Sequence, residues 1–155
     1  MLDDVYNSRL LALAADIPRL GRLADAQGSA RAHSRLCGST VTVDVKLRDR
    51  RIVDFAHDVK ACALGQASSS LMARHAIGAT LEDVAAMHAA VRAMLKEGAP
   101  APSGRFADFA VLEPVRDYRA RHASTLLTFE ATEAAMRDAL AKAGSEPEAA
   151  TPAGA

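Results

Sequence analysis

The sequence contains no tryptophan, and Phe, Tyr and Trp together make up only 4% of its 155 residues. A core must therefore be filled by Ala, Leu, Val and Met. Cysteine is equally scarce, with Cys37 and Cys62 the only two. The chain has no net charge, because 19 Lys and Arg balance 19 Asp and Glu. That excludes a dedicated nucleic-acid binder, which needs a basic footprint to engage phosphates. No apolar run approaches the roughly 18 residues of a membrane span. Met1-Leu2-Asp3-Asp4 is acidic where a secretory signal would be basic, so a cytoplasmic protein is expected. In a reducing compartment two cysteines suit metal ligation, reactivity or burial better than a structural disulfide. Also missing are a Gly-rich phosphate loop, a Gly-x-Ser-x-Gly elbow, a Cys-x-x-Cys and a His-Glu-x-x-His. Nothing points to a hydrolase, a kinase or a dinucleotide enzyme.

What is present is ordinary globular composition, half apolar and a quarter charged, at a length that suits one domain. Leu2, Val5, Tyr6, Leu10 and Leu13 share a helical stripe that Pro18 should end near Asp16. Residues 18–35 read as irregular. Val41, Val43, Val45 and Leu47 alternate with polar residues, as do Val53, Phe55 and Val59, predicting two strands. Ala67, Leu71, Met72 and His75 predict a helix closed by Gly78. The small residues Ser68 to Ser70 should let it pack close to the sheet. Thr80 with Asp83 resembles a capping box opening a further helix that ends at Gly98. Phe106, Phe109, Val111 and Leu112 form a short apolar segment interrupted by Pro114. A last helix is expected over about 123–143, burying Leu126, Leu127, Phe129, Met136 and Leu140. The expectation is one α+β domain over 1–143, a small antiparallel sheet of two to three strands with helices on one face. Residues 144–155 are expected to be a disordered tail.

The best hydrophobic register for the two strands sets Val45 opposite Phe55, Val41 opposite Val59 and Leu47 opposite Val53, with a short loop around Arg50. Continued outward, that register brings Cys37 and Cys62 within about one residue of facing each other, at the spacing of cross-strand neighbours. Cys62 also precedes a predicted helix, whose free N–H groups favour negative charge. Two readings stay open on these residues: a paired-thiolate site, and two small buried hydrophobes. A tetrahedral metal site needs more ligands than two thiolates. His57 reads as a core histidine, and His75 and His88 as surface or packing residues. His33, four residues before Cys37, is within reach of a metal bound there. His122 stands at the start of the last helix.

Ala61-Cys62-Ala63-Leu64, followed by Ala67-Ser68-Ser69-Ser70-Leu71-Met72, resembles a Gly-Cys-Ala-Ile-Ser-x-Ala-Ser-x-Ser-x-Met segment. That segment belongs to the U-type iron–sulfur cluster scaffold family (the NifU N-terminal domain, IscU and SufU). Cys37-Gly38-Ser39 resembles its Cys-Gly-Asp, and Ile17-Pro18-Arg19-Leu20-Gly21 its Pro-Arg-Asn-x-Gly turn. Leu112-Glu113-Pro114-Val115-Arg116 resembles the Leu-Pro-Pro-Val-Lys element that an Hsp70-type chaperone recognises in the IscU branch. Val115-Arg116-Asp117-Tyr118 with Ala120-Arg121 is similar to the SufU branch. The likeness runs to about residue 142.

The resemblance implies a non-catalytic scaffold on an IscU/NifU-like fold. It would hold iron, a labile Fe–S cluster or zinc, receive sulfur as persulfide from a cysteine desulfurase, and pass its cargo to recipient apoproteins. By position, Cys37 and Cys62 match the first two cysteine ligands. Ser39 stands at the aspartate position. The third cysteine is missing, its place falling on Ser124 or, with a one-residue shift, on Ala123. The shifted alignment sets His122 where the IscU branch has its ligand histidine, and makes it the preferred third ligand because imidazole binds iron and zinc where a hydroxyl rarely does. Ser39, Ser124 and His33 are further possible ligands. Leu112, Pro114, Val115 and Arg116 form the expected partner-binding element. Two alternatives are a zinc-bound, SufU-like persulfide acceptor and a metal-free interaction or regulatory module. Oligomeric state is left open.

Overall fold

The computed structural model describes residues 7–145. Helix α1, Ser8–Ala15, opens at Asn7, whose side chain accepts a hydrogen bond from the Leu10 N–H (3.0 Å). It stops at Asp16, two residues before Pro18, as the sequence predicts. Leu10 is buried while Leu11 is half exposed, so one stripe faces inward; Leu2, Val5 and Tyr6 of the expected stripe lie outside the described residues. α1 rests on α2 (Ala63–His75), where Ser70 and Arg74 both donate to the Asp16 carbonyl.

Three antiparallel strands follow in the order β1-β2-β3: Gly28–His33, Thr40–Arg48 and Arg51–Lys60. β1 corrects the expectation of irregular chain over 18–35. Its inward residues are Gly28, Ala30 and Ala32, too small to produce a readable hydrophobic alternation. Instead the helix α4 (His122–Ser145) lies directly on it. A Cβ at Gly28 would overlap the carbonyl oxygen of Ala135 and the backbone N of Ala139. The Ser29 N–H donates to Asp138 on the same helix (3.0 Å).

The β2–β3 hairpin has the register read from its pattern, with Val41↔Val59 and Val45↔Phe55. Asp49 and Arg50 join the strands with φ of 53° and 65°, the twin left-handed pair of a two-residue hairpin turn that matches strand twist. A bulge between Lys46 and Leu47 then pairs Leu47 with Ile52. The expected Leu47–Val53 contact is therefore wrong: Ile52 is fully buried and Val53 is 41% exposed. Val41, Val43, Val45, Phe55 and His57 fill the covered face. On the other face Asp44, only 1% exposed, accepts from Arg22, Ser29 and the Leu23 N–H. These bonds tie the 18–27 segment to the sheet.

Ser68, Ser69 and Ser70 of α2 are all fully buried, as close packing requires. Thr80 and Asp83 form the predicted capping box of α3, Leu81–Glu97, and Gly98 closes it at φ 71°. His88 and Glu133 join α3 to α4 (2.9 Å). His75 packs its ring on Phe106 and Phe109 and lies 3.4 Å from Asp108. Residues Gly104–Asp117 wind as a 3-10 segment with Pro114 inside it and a kink at Phe106. A short 3-10 turn, Arg119–Arg121, then leads into α4. α4 starts one residue before and ends two residues beyond the predicted helix, so the expected tail begins within it; 146–155 lie outside the described residues.

The fold is α+β, with α4 and α2 against the three-stranded sheet. Among the described residues no helix is long and apolar enough to cross a membrane.

Candidate thiol site

Both cysteines sit at the same end of the β2–β3 hairpin. Thr40 pairs with Lys60 there, and Cys37 precedes that pair by three residues while Cys62 follows it by two. Each is a free thiol, Cys37 exposed and Cys62 half-buried.

Cys37 lies in the turn between β1 and β2. The turn is closed by backbone bonds from the Ser34 N–H to Ser39 (2.9 Å) and from the Gly38 N–H to Ser34 (2.8 Å). Gly38 has φ 73°, a conformation that L side chains rarely adopt, so the Cys-Gly pair turns the thiol outward at no steric cost. Leu36, beside it, is 79% exposed. The Cys37 sulfur is 2.9 Å from the Ser39 hydroxyl. That bond does most to hold the thiol below its ordinary pKa; burial, the next-largest effect, opposes it, and the nearby Ser34 hydroxyl and backbone N–H groups add smaller help. Ser34 and Ser39 are themselves only 4% exposed, and the Ser34 hydroxyl, though near the sulfur, has no partner at hydrogen-bonding geometry. Sequence reading missed Ser34. Its only signal is the Ser-x-x-Cys-x-Ser spacing, which acquires meaning once the turn folds back on itself.

Cys62 is the N-cap residue of α2, with extended backbone and no side-chain capping bond. Its thiol donates to the Ser124 hydroxyl (3.6 Å), which donates onward to the Arg121 carbonyl (3.2 Å). Gly65 lets α2 and the start of α4 approach through backbone: a Cβ there would lie 2.7 Å from the Ala61 methyl and 3.2 Å from the Ser124 carbonyl oxygen.

His122 is 4% exposed, and its Nε2 lies 3.1 Å from the carbonyls of both Val115 and Arg116. Carbonyls only accept, so Nε2 is the donor, and in the neutral ring Nδ1 is left as the acceptor. His33 ends β1 on an exposed position. Leu112 and Val115 are fully buried, while Pro114 and Arg116 are half-buried, so the expected partner-binding element presents only part of itself.

The hairpin thus gathers Cys37 and Cys62 at one end, each with its own serine: Ser39 for one and Ser124 for the other. Among the described residues, no three His, Cys, Asp or Glu side chains stand together as a metal cluster would require. The arrangement is two separate free thiols, each in contact with a serine hydroxyl.

Residues 5–125 match the family described as NifU-like N terminal domain. The crystal structure of a nitrogen-fixing NifU-like protein (N-terminal) from Brucella abortus is similar at 57% identity and a TM-score of 0.88, covering 91% of this chain and 98% of that one. The iron–sulfur cluster assembly scaffold protein IscU of Thermotoga maritima is 23% identical over 86% of this chain and 93% of its own length. A candidate iron–sulfur cluster assembly scaffold for the SUF system from Fervidobacterium islandicum shares the fold at a TM-score of 0.79 and 22% identity, over 86% of this chain and 98% of that one. With its sheet, its helices and its two cysteines at one end of the hairpin, this chain belongs to the NifU-like N-terminal domain family of U-type iron–sulfur scaffolds.

Proposed function

We propose that this chain serves iron–sulfur cluster assembly as a scaffold-like protein that accepts sulfur on Cys37 and Cys62 from a cysteine desulfurase. Iron, as an ion or a labile cluster, is its cargo toward recipient apoproteins. The observation that carries this reading is the state of Cys37: exposed, hydroxyl-bonded and biased toward thiolate, in a family of cluster scaffolds. A thiolate there attacks the outer sulfur of a desulfurase persulfide. The S–S bond of the donor breaks, its cysteine leaves as thiolate, and Cys37 carries the new persulfide. No net oxidation occurs, and the proton originally on Cys37 ends in solvent or on the departing thiolate.

A second reading adds a metal, zinc or iron, held by Cys37, Cys62 and His122. It is favoured by the His122 tautomer, since metal-bound histidines commonly donate their other N–H to a backbone carbonyl. The side chains must then close on the ion when it arrives, with Ser39, Ser124, His33 or solvent completing the set.

Anaerobic incubation with a cysteine desulfurase, cysteine and ferrous iron tests both. The expected result is persulfide on Cys37 and Cys62 by mass spectrometry, and a sulfur-to-iron charge-transfer band lost in Cys37→Ala and Cys62→Ala. Persulfide without a band or bound metal restricts the chain to sulfur acceptance. Neither persulfide nor metal rejects the proposal and leaves an interaction module.

A further inference from the structure

The Cys37 turn contains a feature the scaffold reading does not use. Ser34 and Ser39 both lie near the same sulfur and are nearly fully buried, but only Ser39 meets it at hydrogen-bonding geometry. The Ser34 hydroxyl is near enough to the thiol to help lower its pKa, yet it has no partner at hydrogen-bonding geometry. Such a group costs stability wherever it stays unpaired, so a buried hydroxyl in a turn needs an occupant or a reason. Its backbone is already committed, since both its N–H and its carbonyl close the turn, and the side chain is therefore held in place.

We propose that Ser34 and Ser39 form a hydroxyl cradle for a sulfane sulfur, with Ser34 the positioning residue that holds the terminal sulfur of a Cys37 persulfide. The inference rests on the sulfur-acceptor reading of Cys37 and specifies what that site is shaped to hold. In the thiolate the charge sits on Sγ, where Ser39 donates. Once sulfur is added, Sγ becomes a neutral disulfide sulfur and the charge moves outward to the new atom. A second donor is then needed, and Ser34 supplies it without breaking any existing bond. Two hydroxyls suit this ligand class. They stabilise a diffuse anion by hydrogen bonding, and they bring no negative charge that would repel it, as a carboxylate at position 39 would. The same pair is a poor cation binder, which assigns this end of the hairpin to sulfur storage before metal arrives.

The test loads the full chain with inorganic polysulfide, removes the excess, and follows the persulfide on each cysteine by mass spectrometry. Ser34→Ala should shorten the lifetime of the Cys37 persulfide about tenfold, the size expected for losing one hydrogen bond to a charged group. The Cys62 persulfide in the same molecules should be unchanged, and Ser34→Thr should restore the Cys37 lifetime. Thermal stability gives the second readout, because deleting an unpaired buried hydroxyl should leave the melting temperature the same or higher. An unchanged Cys37 lifetime in Ser34→Ala overturns the cradle while leaving sulfur acceptance standing. Wild-type protein that takes no sulfur at Cys37 overturns both.

Discussion

A thiol in water is a poor nucleophile near neutral pH, and what changes Cys37 is one hydroxyl 2.9 Å away. Ser39 is the largest cause of its lowered pKa, so Ser39→Ala should move the midpoint of Cys37 alkylation by iodoacetamide to higher pH. A profile that does not move would assign the bias to the backbone N–H groups instead. His57 poses the opposite case. Its ring is fully buried, Nε2 donates to the Pro18 carbonyl (2.8 Å) and Nδ1 has no partner. Burial lowers its pKa, with the Pro18 bond and Asp58 opposing. The unfolded chain therefore binds the proton first, and stability should fall as pH drops below about 6.5 toward the folded value. His75 contributes with the same sign, its burial again the main cause. His57→Gln should remove part of that acid slope, read as a smaller loss of urea midpoint on acidification. An equal slope in the variant would place the effect on His75.

Among the elements, those that follow from sequence are those whose signal is local. The β2–β3 hairpin announces itself by alternating Val residues. α3 does so by Thr80 and Asp83 at one end and Gly98 at the other. β1 is hidden because what specifies it is a neighbour more than 100 residues away: α4 lies so close that only Gly fits at position 28. The bulge at Leu47 is hidden because Ile52 and Val53 are equally apolar, and packing alone decides which turns inward. Within the candidate site, the pairing of Cys62 with Ser124 depends on how α2 meets α4. No spacing along the chain encodes that. Gly28→Ala measures the hidden contact directly. The added methyl meets helix backbone, which cannot swing away as a side chain would, so a loss of about 2–3 kcal/mol is expected by urea unfolding. A neutral result would mean that α4 can lift from β1 at little cost.

At the scale of the molecule, His122 joins two regions. Its ring pins the carbonyls of Val115 and Arg116, in the segment expected from the sequence to bind a partner, and its backbone begins the helix that brings Ser124 to Cys62. His122→Ala should lower unfolding stability by about 1–3 kcal/mol, the cost of losing the ring's bonds to the two carbonyls. If Nδ1 is also a ligand, the same variant should weaken zinc or iron binding at least tenfold, about the loss seen when a metal site is disturbed this way. A drop in stability with unchanged metal affinity would make His122 a structural pin alone. The hairpin turn at Asp49 and Arg50 carries a practical consequence. Nine residues of β2 separate it from the thiol end, about 30 Å of extended chain. A dye or surface tether attached at that tip would report on whatever docks over Cys37 and Cys62 while standing clear of it.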